Sequence, residues 1–207
     1  MPKFSVIIPF RDRHEHLRVL VPHIRQLAQH RGLDLEIIVS EQIDNALLRR
    51  GALRNEGVRV ASGDILVFHD VDYVPNLNVQ YWSDGANVYR PVFRVDFVNM
   101  DFSARPENET PVGYRTFKKG IENNFFGGVI SITKEAFLKI NGYNPMFEGW
   151  GLEDDDFRER IRRAQLNVES GHSTFSALPH TDSFKNDAAF RRNQQLVENP
   201  STVSNVA

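Results

Sequence analysis

Three short apolar segments, each followed by a polar stretch, restrict the possible fold more than any other feature of this sequence. The segments are Phe4–Pro9, Leu35–Val39 and Ile65–Phe68, and each has the length of a buried strand. Between them, His14–His30 and Ala46–Val60 carry apolar residues at the spacing of a helix face. This alternation predicts an α/β fold with a mostly parallel sheet and helices on both faces.

Two acidic residues directly follow the third apolar segment, in the sequence Asp70–Val71–Asp72. Ligands of an open α/β sheet bind beyond the carboxyl ends of its strands, which is where these acids would lie. Alternate residues of an extended backbone point to opposite sides, so one carboxylate can hold a divalent cation and the other a ribose hydroxyl. A solvated turn is the alternative, but the position after a third parallel strand favours a binding site.

Four consecutive acids, Glu153–Asp156, begin a later helical pattern and repel one another unless something offsets their charge. A helix N-terminus stabilises one or two carboxylates, and four exceed that need. One of the four is therefore a candidate general base, because a carboxylate can take a proton from a sugar hydroxyl. Trp150, just before them, offers a flat face for a sugar ring, and core packing is its equally weighted alternative.

Other candidate residues are less specific. Phe125–Val129 contains adjacent glycines, which let the backbone approach a ligand or form a simple turn. Arg11 and Arg13 could bind phosphate or stack on a base, and surface salt bridges are their alternative. His180, in a stretch that also contains a carboxylate, offers an imidazole near the C-terminus, whereas His16 on the first predicted helix is expected to be solvated.

The length of 207 residues suits one domain, which we expect at 1–190, followed by a polar tail at 191–207 that frays. The net charge of −2 gives no field that would attract nucleic acid or an anionic membrane. No apolar run approaches the ~20 residues of a membrane span. Together with the absence of cysteine, these features predict a cytoplasmic protein. Further elements are predicted at Val88–Val98 (strand), Ile130–Ile132 (strand), Thr133–Ile140 (helix, N-cap Thr133) and 153–165 (helix).

Several motifs, taken in order along the chain, resemble those of one known family, the β-1,4-galactosyltransferases. They are Ile7–Arg13 with Glu15–Leu17, Leu48–Gly57, Phe68–Asp72, Phe125–Val129, Phe137–Tyr143 and Gly149–Asp156. The resemblance covers roughly Phe4 to Asp182, and in this order the motifs are highly specific. It implies a GT-A-type, Rossmann-like fold and an inverting transfer of a sugar from a UDP-sugar donor with Mn²⁺, for which Mg²⁺ is an alternative.

The resemblance also implies a role for individual residues of this chain. The donor and nucleotide would be bound by Pro9, Phe10, Arg11, Arg13, Arg50, Asp70, Val71, Phe125, Gly127 and Gly128. The acceptor sugar would be bound by Trp150, Gly151, Glu153 and Asp155. Asp154 would be the catalytic base, and the metal would be held by Asp72 and His180, with Asp182 as a further candidate ligand.

Some positions depart from the family pattern. Leu152 replaces a glycine beside the acceptor site, and Ala177 stands where many members carry a metal-binding methionine. Phe125 falls where a tyrosine helps to exclude an N-acetyl group, and its bulk favours a sugar without that group. The absence of the cysteines found in animal members fits a microbial or viral relative.

These features predict a metal-dependent inverting glycosyltransferase that moves a hexose, foremost galactose, from a UDP-sugar to a sugar hydroxyl with a β-linkage. UDP-N-acetylgalactosamine and UDP-glucose are alternative donors. A nucleotidyltransferase and a non-catalytic sugar-binding protein are the alternative classes. The mechanism requires that a cation at the tip of the third strand faces Asp154 across a single pocket.

Overall fold

A computed structural model describes residues 2–97, 114–115, 126–179 and 186–198 of the chain. Within these residues, the elements are β1 (Phe4–Phe10), α1 (His14–Arg31), β2 (Leu35–Glu41), α2 (Arg50–Val60), β3 (Ile65–His69), β4 (Tyr73–Pro75), β5 (Val88–Phe97), β6 (Tyr114–Arg115), β7 (Val129–Thr133), α3 (Lys134–Lys139), α4 (Glu153–Arg163), β8 (Val168–Ala177) and α5 (Asp187–Glu198). Each predicted strand and helix is present. No helix in this described part is long and apolar enough to cross a bilayer.

The strands form one sheet in the order β2-β1-β3-β7-β5-β8-β4, with β6 paired to β5. The first three are parallel, as predicted: Ile7 of β1 pairs with Ile38 of β2 and with Phe68 of β3. β7 is antiparallel to β3 and β5, and β4 is antiparallel to β8. The α/β fold is thus confirmed. The sheet contains both kinds of pairing, and its longest pairs, β1 with β2 and β5 with β8, are parallel. Parallel neighbours need a long crossover, which α1 and α2 supply for the first three strands. The chain between β5 and β8, which includes α3 and α4, supplies it for that parallel pair.

Helices cover both faces of the sheet, as predicted. Because successive strand residues point to opposite faces, the buried residues of β1 divide between two apolar clusters. The first cluster joins α1 to one face and includes Val6, Ile8, Leu20, Ile24, Leu27 and Val67. The second joins α2, α3 and α4 to the other face and includes Ile7, Val58, Leu66, Phe68, Phe137 and Phe157. Packing on both sides explains why every residue of β1 and β3 is buried.

Helix α2 begins four residues later than the predicted start at Ala46, because the preceding turn is held by a buried glutamine. The Gln42 side-chain amide donates to the carbonyl oxygens of Ala46 and Leu47, at 3.2 Å each, and accepts from the Arg49 N–H at 2.9 Å. These bonds satisfy backbone groups that a helix would otherwise use. By contrast, the predicted N-cap of α3 is confirmed, since Thr133 Oγ1 accepts from the Ala136 N–H at 3.1 Å.

Strand β8 had no counterpart in the sequence-based prediction. It pairs with β5 along its whole length, from Val168 opposite Val88 to Ala177 opposite Phe97. Only its second half alternates between buried and partly buried residues, and its serines, threonine and glycine weaken the apolar pattern. Its end reaches the tip of β3, where the Leu178 N–H donates to the Asp72 carbonyl oxygen at 2.8 Å.

Helix α5 corrects the expectation that the chain frays after Phe190, because it continues to Glu198 and buries Ala189 and Asn193. The division of the chain at residue 190 remains a prediction, but no break in the structure occurs there. The Asn193 side-chain amide donates to the carbonyl oxygens of Glu148 at 3.0 Å and Gly151 at 2.9 Å. A polar helix was missed because its few buried residues contact a loop rather than the main core.

We expect Gly57→Ala to destabilise the protein. A Cβ on Gly57 would overlap Ile7 Cγ2 and lie 2.9 Å from Ser40 Oγ, and Ile7 is fully buried. The overpacking costs about 1–3 kcal/mol, and the upper half of that range exceeds the ~1 kcal/mol that alanine gains in a helix. Urea unfolding measures the change. The exposed neighbour variant Glu56→Ala should stay within about 0.5 kcal/mol of the wild type. Equal midpoints for both variants would contradict this packing.

Asn193→Ala should loosen the loop at 148–151. The carbonyl oxygens of Glu148 and Gly151 would lose their donor, at a cost of about 1–2 kcal/mol in the free energy of unfolding. Hydrogen exchange detected by mass spectrometry should also become faster in this loop. Gln194→Ala, on the exposed side of α5, is the matched control. Unchanged exchange in Asn193→Ala would show that α5 does not hold the loop.

Candidate active site

The carboxyl ends of β1 and β3 lie at the same edge of the sheet, because the two strands are parallel neighbours. Arg11 follows β1 there, and Asp70 follows β3. The first two turns of α2 and the first turn of α4 reach the same edge, since Arg54 on α2 contacts both Asp70 and Asp154. Four elements that are distant in sequence therefore supply charged side chains to one place.

Arg54 lies at the centre of this cluster. Its side chain is 1% exposed. Its Nη1 donates to Asp154 Oδ1 at 2.7 Å, and its Nη2 donates to Asp70 Oδ1 at 3.0 Å. Its guanidinium carbon stands 4.7 Å from the centroid of the Tyr143 ring, a cation–π contact. The carboxylate after β3 and the candidate base at the start of α4 thus share a single buried cation.

A second ion pair lies next to this one. Arg50 Nε donates to Glu153 Oε1 at 2.7 Å, and the Glu153 side chain is 5% exposed. Arg50 and Arg54 are four residues apart on α2, so they lie on the same face of the helix. The family resemblance named Arg50 and missed Arg54. The spacing of the two arginines on a predicted helix is the signal that could have found it.

The acids of the cluster differ in their affinity for protons. Burial raises the pKa of Asp154 to about 7, although Arg54 opposes this rise. Burial also raises the pKa of Asp70, against the opposing charges of Arg54 and Arg50. For Glu153, burial alone would raise the pKa, but Arg50 and Arg54 hold it below its usual range. Asp154 can therefore exchange a proton near neutral pH while its neighbour Glu153 stays ionised.

The acidic run is divided between different surroundings as α4 turns. Glu153 and Asp154 face the arginines of α2, as described above. Asp155 is half exposed and pairs with Arg158 at 3.0 Å, so the structure does not bring it into the cluster. Asp156 is buried and pairs with Arg160 at 2.8 Å. The first two acids of the run therefore belong to the charged cluster, and the last two form ordinary ion pairs within the helix.

The loop before α4 has an unusual backbone. Gly149, Gly151 and Leu152 have φ angles of 73°, 102° and 75°, the left-handed region that disfavours side chains. Trp150 is 47% exposed, which excludes the core alternative, and its ring stacks on Phe190 of α5 with centroids 5.9 Å apart. The ring is therefore an exposed aromatic surface, three residues before Glu153 in the chain.

The residues expected to bind the donor lie mainly along β1 and before β7. Pro9 and Phe10 are buried in β1, and Arg11 donates to the Ala46 carbonyl oxygen. Arg13 precedes α1 and is partly buried. The carbonyl oxygen of Gly128 accepts from the Asp70 N–H at 2.8 Å, which joins the glycine pair to the acidic tip. The last of the expected donor residues are Val71 and Gly127, which are buried, and Phe125, which lies outside the described residues.

Only one of the three expected metal ligands lies within the described residues. Asp72 is partly buried beside the end of β8, whereas His180 and Asp182 lie outside the described residues. Within the described ranges, no group of three or more His, Asp or Glu side chains could hold a metal ion. The carboxylate of Asp72 is an oxygen donor of the kind that Mn²⁺ and Mg²⁺ accept, so its chemistry fits.

His16 corrects another expectation, because it is buried rather than solvated. Its Nε2 lies 3.1 Å from the carbonyl oxygen of Pro179. Its position four residues before Leu20 places it on the buried face of α1, a spacing that was visible in the sequence. The segment that leads from β8 towards His180 is therefore held against α1.

Comparisons with known proteins agree with this arrangement. The profile described as "N-terminal region of glycosyl transferase group 7" matches residues 1–84, and that described as "N-terminal domain of galactosyltransferase" matches 114–183. The mouse protein β-1,4-galactosyltransferase 5 is 34% identical over 185 residues, which are 86% of this chain and 43% of the relative. β-1,4-Galactosyltransferase 7 of Drosophila melanogaster is 32% identical over 93% of this chain and 57% of its own length. The chain thus spans about half the length of these relatives.

A solved structure has the same fold. It is a mutant of the Drosophila β-1,4-galactosyltransferase 7 in complex with manganese, UDP-Gal and xylobiose, and it superposes with a TM-score of 0.73 at 27% identity. The superposition covers 94% of this chain and 80% of that structure. Together, the two profiles, the sequence relatives and the shared GT-A-like fold show that this chain belongs to the β-1,4-galactosyltransferase family.

Proposed function

We propose that this chain is a metal-dependent, inverting glycosyltransferase that moves galactose from UDP-galactose to a hydroxyl of a sugar acceptor. The observation that carries the proposal is the position of Asp154. It shares the buried Arg54 with Asp70 at the ligand-binding end of β3, and its pKa is raised to about 7. A carboxylate with such a pKa, beside a strand end where nucleotides bind, suits a general base that works near neutral pH.

In the proposed reaction, Asp154 takes the proton of the acceptor hydroxyl. The acceptor oxygen forms a bond to the anomeric carbon on the face opposite UDP, while the bond to the diphosphate oxygen breaks. An α-linked donor therefore gives a β-linked product and free UDP. One positioned base contributes about 10²–10⁴-fold to such a rate. Glu153 stays ionised and can accept hydrogen bonds from sugar hydroxyls.

The other residues of the site bind and orient the two substrates. Arg11, at the end of β1, would bind the nucleotide, and Asp70 would hold the nucleotide or the donor sugar. The exposed ring of Trp150 offers a face for the acceptor. Asp72, with His180 and Asp182 as the proposed further ligands, would hold the divalent cation. The bound cation would neutralise the diphosphate as it departs.

Two observations favour galactose as the transferred sugar: the ligand of a related protein and the residue at position 125. The Drosophila relative was crystallised with UDP-Gal, manganese and xylobiose. The bulk of Phe125, at a position that excludes an N-acetyl group in the family, favours the same donor. A nucleotidyltransferase would need a glycine-rich loop with a lysine after the first strand, and Pro9, Phe10 and Arg11 stand there instead. A non-catalytic sugar-binding protein would not need a raised pKa at Asp154.

A donor panel tests the proposal directly. The protein is incubated with Mn²⁺, xylobiose and other short sugars as acceptors, and UDP-galactose, UDP-glucose or UDP-N-acetylgalactosamine. Release of UDP and the linkage of the product are measured by chromatography and NMR. A β-linked galactoside supports the proposal. No product from any donor would overturn it, and so would pyrophosphate released in a parallel incubation with UTP and galactose 1-phosphate.

Asp154→Asn should nearly abolish transfer, because the amide cannot accept the proton of the acceptor. The loss should be about 10²-fold or more in kcat, with little change in UDP-galactose affinity measured by calorimetry. Glu159→Gln removes a carboxylate from the same helix, where Glu159 pairs with Arg162 and Arg163 at the surface, and should keep wild-type activity. Loss of donor binding in Asp154→Asn would instead make Asp154 a donor ligand.

Asp72→Ala should remove the metal dependence of UDP binding. Calorimetric titration of UDP, with and without Mn²⁺, should show tighter binding with metal in the wild type and no difference in the variant. Asp84→Ala, in an exposed turn away from the strand ends, is the control and should retain the metal effect. If Asp72→Ala also retains it, Asp72 does not hold the metal.

A further inference from the structure

Arg54 is more firmly fixed than a surface ion-pair partner would be. Its guanidinium lies over the Tyr143 ring, which in turn stacks on Phe157 of α4 with centroids 3.9 Å apart and planes at 7°. The next residue, Asn55, donates to the Tyr143 carbonyl oxygen at 2.8 Å and accepts from the Tyr143 N–H at 3.0 Å. The cation therefore rests on an aromatic surface that is bound to both α2 and α4.

The two bonds of Arg54 have different consequences for its partners. Asp70 is also bound through its backbone N–H to Gly128, so its position does not depend on Arg54 alone. Within the described residues, the Asp154 carboxylate accepts its hydrogen bond from Arg54 Nη1. Because a guanidinium is planar and its donors are fixed relative to one another, it sets both the distance and the direction of each carboxylate.

We propose that Arg54 is a positioning residue for the proposed transfer reaction, which orients Asp154 beside the donor-side carboxylate Asp70. The inference rests on the proposed function. It extends that function by assigning the orientation of the base to a residue of α2 that does not itself contact the reacting atoms. A lysine at this position would keep the charge but could not hold two carboxylates in one plane.

The pH at which Asp154 gains its proton reports this role. The groups that face it are Arg54 and Arg50 from α2, Asp70 just after β3, Tyr73 from β4, Tyr143 from the preceding loop and Glu153 from its own helix. The two arginines lower the pKa of Asp154, and burial, Glu153 and Asp70 raise it. Removal of Arg54 therefore raises the pKa of Asp154 above about 7, and the base becomes ionised only at higher pH.

The test compares Arg54→Met, Arg54→Lys and, as the matched control on the same helix, Arg59→Met, which removes an exposed arginine. Transfer is measured between pH 5.5 and 9. In Arg54→Met we expect kcat at pH 6 to fall about tenfold or more and to recover partly at pH 9, because the ionised fraction drops tenfold for each pH unit below the pKa. In Arg54→Lys, kcat should fall without a comparable shift of the profile, and Arg59→Met should match the wild type.

A second measurement does not depend on activity. The carboxyl carbon of Asp154 is followed by NMR in protein labelled with ¹³C-aspartate, and Asp154→Asn assigns the signal. We expect its midpoint near pH 7 in the wild type and at higher pH in Arg54→Met. Thermal melting checks that each variant is folded, and if Arg54→Met is not, Arg54→Lys decides.

The outcomes separate the inference from the proposed function. An unshifted Asp154 midpoint in folded Arg54→Met, or wild-type kcat in Arg54→Lys, overturns the role of Arg54. A shifted midpoint in a protein that transfers no sugar from any donor would leave the pairing of Arg54 and Asp154 intact. That result would overturn the transferase proposal and with it the positioning role.

Discussion

A buried guanidinium that is shared by two carboxylates holds this site together. Arg54 joins the tip of β3 to the first turn of α4, two places that are more than 80 residues apart in the chain. An uncompensated charge in such a place costs several kcal/mol, so both carboxylates stabilise the position of the arginine as much as it stabilises theirs. Once Asp70 and Asp154 are fixed, their chain neighbours Asp72 and Glu153 are confined to the same edge of the sheet.

The packing of α2 makes this arrangement possible. Gly57 lets the helix approach β1 so closely that a methyl group there would overlap Ile7. The close approach places the first two turns of α2, with Arg50 and Arg54, beside the carboxyl ends of β1 and β3. The fold therefore provides its own counter-charges at the edge where ligands of α/β sheets bind. This explains how four carboxylates, at positions 70, 72, 153 and 154, can gather there without mutual repulsion dominating.

The sequence predicted the parts of this structure that depend on strong local patterns. The apolar runs predicted β1, β2 and β3 and their parallel direction, but not their order in the sheet. The family resemblance identified the residues of the cluster except Arg54. Strand β8 was missed because its polar composition hides a pairing that is set by β5, and α5 because it is held by Asn193 rather than by an apolar face. Both elements depend on contacts with residues that are distant in the sequence, and no local pattern shows such contacts.

The strained backbone at Leu152 determines where helix α4 begins. Leu152 has φ 75° and ψ −11°, a conformation that costs a residue with a side chain roughly 1–2 kcal/mol. The reversal it produces starts α4 at Glu153, so that the first two acids of the helix meet Arg50 and Arg54 while Asp155 turns to solvent. The ion pairs offset the strain, and the pKa values of the two neighbours, Glu153 and Asp154, shift in opposite directions. Glu153 remains ionised as an acceptor of hydrogen bonds, and Asp154 is left as the acid whose proton can leave near pH 7.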